Sequence, residues 1–153
     1  MPMAKPTKDN PTRFDIELPP GLNKTQRDAI ADAVIEHIRQ RSEAGIANNG
    51  SKFPRYSKEY TESVDFKIGG KKKNKVDLTL SGDMLAALQV IKDRRDRLTI
   101  GYKKDTEEAD KAEGNQLGTY GQPTPIKGKA RPFLGFVGKE RDKLRQLILD
   151  AIK

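Results

Sequence analysis

Helical periodicity near each end of the chain, with short runs of strict alternation between, limits the folds open to this sequence. Toward the C-terminus Leu144, Leu147, Ile148, Ala151 and Ile152 recur at i, i+3, i+4, i+7 and i+8. That stripe predicts a helix over about residues 139–152 with one buried face. Nearer the N-terminus Ile30, Val34 and Ile38, with Ile35 beside them, form a second stripe. Asn23 and Gln26 stand before it at capping-box spacing, and Gly45 supplies a left-handed stop. Residues 13–18 alternate instead, which puts Phe14, Ile16 and Leu18 on one face of a strand that Pro19-Pro20-Gly21 ends. Val76, Leu78 and Leu80 repeat the alternation. Ser81-Gly82-Asp83 then opens a short helix with Met84, Leu85 and Leu88 turned inward.

From Gln89 the pattern predicts a hairpin. Val90 and Ile91 lie in its first arm, Asp93-Arg94-Arg95-Asp96 at its turn, and Leu98, Ile100 and Tyr102 alternate in its second. Asp105 or Thr106 can cap a third helix over residues 107–116. Its acidic first turn suits the helix dipole, but Ala109 and Ala112 give it almost no apolar stripe. Residues 118–130 are punctuated by glycine and proline. The compact apolar run Arg131-Pro132-Phe133-Leu134-Gly135-Phe136 is expected as a short strand before the last helix.

Two segments lack such order. Residues 1–12, rich in Pro, Lys, Thr and Asn, read as a flexible arm. Residues 46–75 read as a mobile loop holding an Asn48-Asn49-Gly50-Ser51 turn, an extended stretch at Phe53-Pro54 and a lysine-rich run after Gly69-Gly70. The expected architecture is a single α+β domain over residues 13–153. A small, mainly antiparallel sheet is covered by two amphipathic helices, with long loops.

Reactive chemistry is hard to assemble from these residues. Without cysteine there is no disulfide, no thiolate nucleophile and no thiolate metal site. The single histidine, His37, has no acid or nucleophile at a telling offset, and Ser57 and Ser81 are explained as helix caps. Gly69-Gly70-Lys71 and Gly82 lack the spacing of a phosphate loop or a dinucleotide fingerprint. Asp77, Asp83 and a lysine could be drawn together as a metal-nuclease set only by assumption. No run approaches the length of a membrane span, and residues 1–20 carry Lys5, Lys8 and Arg13 but no apolar signal core. The expectation is a cytosol-made, non-catalytic protein with no cofactor, no metal and no small-molecule substrate.

Charge is abundant and unevenly placed. Lys+Arg number 30 against 22 Asp+Glu, for a net charge of +8. Lys71, Lys72, Lys73 and Lys75 form one basic block, and Arg94, Arg95 and Arg97 another. Asp105, Glu107, Glu108 and Asp110 make an acidic patch soon after. Such blocks bind nucleic acid or complement an opposite patch on a neighbouring subunit. A single-strand binder would interleave aromatics for stacking, whereas aromatics are only 6% of this chain and Phe14, Phe133 and Phe136 look committed to the core. Basic, non-sequence-specific nucleic-acid binding through these clusters is the alternative to protein–protein assembly.

Three stretches carry a family likeness: residues 53–60 (Phe-Pro-Arg-Tyr-Ser-Lys-Glu-Tyr), residues 76–85 with the passage Leu78-Thr79-Leu80-Ser81-Gly82-Asp83-Met84, and Ala130-Arg131-Pro132-Phe133-Leu134-Gly135. In this order they resemble the virion-morphogenesis, tail-completion or head–tail joining proteins of tailed bacteriophages, over about residues 14–152. Family members typically place an aromatic-glycine pair before the Arg-Pro-Phe segment. Here the matching stretch is Asn115-Gln116-Leu117-Gly118. The resemblance implies an α+β virion subunit of the neck or upper tail, made in the host cytoplasm. It further implies a homo-oligomeric ring, often a hexamer, between the portal complex and the tail tube. The partners would be neck, portal-adaptor or tail-tube proteins. Arg131, Pro132 and Phe133 would then be subunit contacts, the charged clusters would meet head to tail, and the loop lysines would face DNA in the channel.

Overall fold

The computed structural model describes residues 4–54, 83–120, 126–127 and 130–153. The fold is α+β. The expected strand at residues 76–80, the turn of helix after Ser57 and the lysine block lie outside the described residues. The elements are β1 (Arg13–Glu17), α1 (Lys24–Glu43), α2 (Asp83–Ala86), β2 (Gln89–Arg94), β3 (Arg97–Gly101), α3 (Glu107–Leu117), β4 (Thr119–Tyr120), β5 (Ile126–Lys127) and α4 (Glu140–Ala151).

The sheet is antiparallel in the order β1-β3-β2. Register sets Phe14 opposite Ile100 and Ile16 opposite Leu98, and all four side chains are buried on one face. The partners between them, Asp15 and Thr99, turn outward and hydrogen-bond at 2.5 Å. Period two thus divides core from solvent, as alternation requires. In β2 the register shifts between Val90 and Lys92, a bulge at Ile91. Past a bulge the faces exchange, so Asp93 stands opposite the buried Leu98 and turns toward α1, where Arg27 Nε donates to it at 2.7 Å. Asp93 and Arg94 therefore belong to the strand. The turn is the narrower Arg95-Asp96, not the four residues expected.

α1 begins with the expected capping box. The Asn23 side chain accepts from Gln26 N at 2.8 Å, and Gln26 Oε1 accepts from Asn23 N at 2.9 Å. Gly45, at φ 82, follows its C-cap. The helix lies across β2 and β3 with Ile30, Val34 and Ile38 fully buried, and α4 packs along α1 with Leu144 and Ile148 inward. α3 is capped by Thr106, whose hydroxyl accepts from Ala109 N, and ends at Gly118 in the left-handed region. Its buried residues are all small: Ala109, Ala112 and Gly114. A weakly apolar helix can sit against the core because nothing bulky separates its backbone from it.

Two segments differ from expectation. Residues 131–136 form no strand: an isolated bridge from Phe136 to Ala4 is their only ladder-type pairing among the described residues. The start of the expected mobile loop is packed, with Ala47, Asn48 and Phe53 buried and Ile46 bridged to Lys52. Short pairing of β4 with β5 also appears within the glycine- and proline-rich stretch.

Candidate functional site

The Arg-Pro-Phe-Leu-Gly segment is the most elaborately held part of the described chain. Phe133, Leu134 and Phe136 are fully buried, so their backbone groups are cut off from water and need partners. No strand among the described residues runs alongside the segment, and side chains supply most of them. Gln116 Oε1 accepts from both Phe133 N (2.8 Å) and Leu134 N (2.9 Å). Asn48 Nδ2 donates to Leu134 O at 2.8 Å. Arg41 Nη2 donates to Phe133 O at 2.7 Å and to Gly135 O. Backbone bonds complete the set: Arg131 N to Asn115 O, Asn48 N to Pro132 O, Val137 N to Asn48 O, and Phe136 N to Ala4 O. Gln116 lies in the Asn115-Gln116-Leu117-Gly118 stretch at the end of α3. Its amide oxygen does here what a paired strand would do.

Gly135 explains its own identity. Its φ is +93°, and a Cβ there would collide with Ala4 O and come within 2.8 Å of Lys5 Cα. Glycine is required both by backbone conformation and by the N-terminal segment crossing over it. Within the expected arm, Ala4 is buried and bonded at this crossing.

Beneath the segment lies a polar cluster that sequence reasoning did not anticipate. Arg41 Nη1 and His37 Nε2 both reach Glu140 Oε1 at 3.0 Å, so with the carboxylate ionised both nitrogens donate. The two cluster residues of α1 also cover Phe136. The His37 ring stacks at 5.7 Å and 14°, and the Arg41 guanidinium stands 4.8 Å from the ring centroid. Burial pushes Arg41 below its ordinary pKa, against the hydrogen bond and charge of Glu140. For Glu140, burial pushes upward, but hydrogen bonds from His37 and Arg41 and their charges outweigh it and hold the carboxyl below its usual range. A signal was present in the sequence. Residue 41 continues the stripe of Val34 and Ile38 at i+7 and i+3, so an arginine there occupies an inward position.

The residues singled out from sequence are not brought to one place. Lys71, Lys72, Lys73 and Lys75 lie outside the described residues. Arg94 and Arg95 are exposed at the hairpin tip, while Arg97 lies 3.8 Å from Asp15 across the outer sheet face. Asp105, at φ 62, precedes the α3 cap. Glu107, Glu108 and Asp110 fill the first turn, with Glu107 3.4 Å from Lys111. Arg131 and Pro132 are half-buried. Phe133 has no exposed surface and packs edge-on to Tyr102, ring centroids 6.3 Å apart, so within the chain it serves the core. Among the described residues no cluster of His, Cys, Asp or Glu is arranged to hold a metal, and no helix is long and apolar enough to cross a membrane. No family model, curated protein or solved structure matches the chain.

Proposed function

We propose that the chain is a non-catalytic structural subunit of a phage neck or upper tail, forming a ring by head-to-tail contact that joins or completes the tail. The observation that carries this reading is the separation of charge along the hairpin. The Arg95-Asp96 turn precedes β3, and the acidic start of α3 follows its far end. Five strand residues hold these two sites about 13 Å or more apart. Arg94, Arg95, Asp105, Glu108 and Asp110 have no ion-pair partner among the described residues. Arg94 moreover faces Arg97 directly across the hairpin, a like-charge pair that an incoming carboxylate would relieve. A positive tip and a negative helix start at opposite ends of β3 suit heterologous contact, which forms a ring when the rotation between successive subunits closes. The likeness of residues 53–60, 76–85 and 130–135 to head–tail joining proteins supports a virion setting, with portal-adaptor or tail-tube proteins as partners.

Charge reversal tests the reading. Arg94→Glu with Arg95→Glu, or Glu108→Lys with Asp110→Lys, should each turn rings into monomers by light scattering and negative-stain imaging. Both pairs combined in one chain should restore assembly. Reversals that leave assembly unchanged would refute the contact. A strict monomer that binds any duplex, with affinity falling steeply as salt rises, would favour nucleic-acid binding through the same arginines.

A further inference from the structure

The slot at Gly135 and Phe136 is built to receive a passing chain, and the segment that fills it is tied down only at its ends. At one end, Ala4 is buried and its carbonyl accepts from Phe136 N at 2.6 Å. At the other, Thr12 O accepts from Tyr102 N at 3.1 Å as β1 begins. Between these anchors no side chain from Lys5 to Pro11 is buried. Among the described residues the only hydrogen bonds there are local, from Asn10 N to the Thr7 carbonyl and hydroxyl. Moving this connector therefore sacrifices only the partial burial of Pro6 and Pro11. Pro6 and Pro11 bias it toward extended conformations, and residues 5–11 stretched out cover about 23 Å.

We infer that residues 4–12 are an exchangeable strap, and that in the assembly the strap of one copy fills the Gly135–Phe136 slot of the next. The occupant is fixed by the slot's own chemistry. Gly135 lacks a side chain where Ala4 and Lys5 cross, Phe136 offers its N–H to the carbonyl of Ala4, and every copy carries the segment that fits. Exchange recreates each of these contacts between subunits at no loss of bonding, the low-cost route by which identical chains link. The inference rests on the assembly reading above and adds a second, uncharged link to the charged one.

The absence of cysteine makes a direct test available. Lys5→Cys carrying a benzophenone photo-crosslinker is prepared in light and nitrogen-15-labelled forms, mixed in equal amounts, assembled and irradiated. Peptides joined to residues 133–137 are then read by mass spectrometry. Exchange predicts light–heavy pairs, about half of all crosslinks if it is complete. Same-isotope pairs alone, in a sample that light scattering shows to be assembled, would overturn the strap while leaving the ring. A sample that stays monomeric at every concentration would overturn both. Independently, Ala4→Glu, which puts a charged side chain into the slot, should weaken assembly at least tenfold, and unchanged assembly would count against exchange.

Discussion

Replacing Glu140 with glutamine isolates the charge of the buried cluster from its shape. Glutamine keeps an acceptor oxygen where Arg41 and His37 reach, both at 3.0 Å, but removes the negative charge. The Arg41 side chain is only 4% exposed, so its cation would be left without a counter-charge in a poorly solvated place. A hydrogen bond to a charged group contributes about 1.5–3 kcal/mol and a neutral one about 1. The His37 bond loses its charged acceptor, and the Arg41 bond keeps its charged donor but loses the counter-charge, which together suggest a loss of about 1–4 kcal/mol. The carboxylate retains 15% exposure, so solvent screens part of that, and about 2 kcal/mol is the expected cost. With a urea slope of about 2 kcal/mol/M, the midpoint at pH 7 should fall by roughly 1 M. Asp142→Asn is the control, since it also removes a first-turn charge from α4 but is 82% exposed in its side chain, and should shift the midpoint little. The pH dependence gives a second check. Because the folded carboxyl sits below the ordinary glutamate value of about 4.3, the unfolded chain binds the proton first as pH falls. The wild-type advantage is therefore complete above that value and is lost as pH drops through the folded one. The gap between wild type and Glu140→Gln should close over that window. Equal stability at pH 7, or a gap that persists in strong acid, would refute the assignment.

Two further changes probe the segment's supports. Gln116→Ala should cost about 2–4 kcal/mol in urea unfolding, because the N–H groups of both Phe133 and Leu134 lose their acceptor, whereas Gln116→Glu keeps an oxygen there and should cost less at neutral pH. Tyr102→Phe removes the bond from its hydroxyl to Met84 O at 2.7 Å, for about 1 kcal/mol. Burial, only partly opposed by Arg39 and reinforced by Glu108, raises the Tyr102 pKa, so above about pH 10 the unfolded chain sheds a proton the folded one keeps. Wild type should lose stability there as pH rises, and the difference from the phenylalanine variant should shrink.

Periodicity carried the elements that it can encode. The capping box of α1, the Phe14 and Ile16 face of β1, the Leu98 and Ile100 face of β3 and the Leu144 and Ile148 face of α4 follow from residues a few positions apart. The Arg131–Phe136 run looked like a strand because a short buried apolar stretch has the same composition whether or not it is paired. What distinguishes the two cases lies far away: Gln116 is 17 residues from Phe133, and Arg41 is 92 from the carbonyl it serves. The hairpin turn was drawn too wide for a related reason. The bulge at Ile91 keeps Asp93 in the strand and aims it at Arg27, a contact 66 residues long that no local charge pattern announces.

An arginine at an inward position of α1 breaks the local rule for a core stripe, and the reason it stands there lies in the buried backbone it faces. A chain segment without a paired strand leaves its carbonyls bare, and an apolar residue at position 41 would leave Phe133 O and Gly135 O unbonded in the interior. Lysine carries enough donors but concentrates them on one nitrogen. The planar guanidinium can reach two carbonyls and the Glu140 carboxylate in separate directions while its face rests on Phe136. Buried charge is a weak source of stability, and its better attested use is to specify one arrangement among alternatives. Here that arrangement is a segment bent at Leu134 and Gly135 and pinned from beneath by side chains. On its far side Ala4 and Lys5 cross over Gly135 and the Ala4 carbonyl takes the Phe136 N–H, so one bridge completes what the side chains beneath leave unmet.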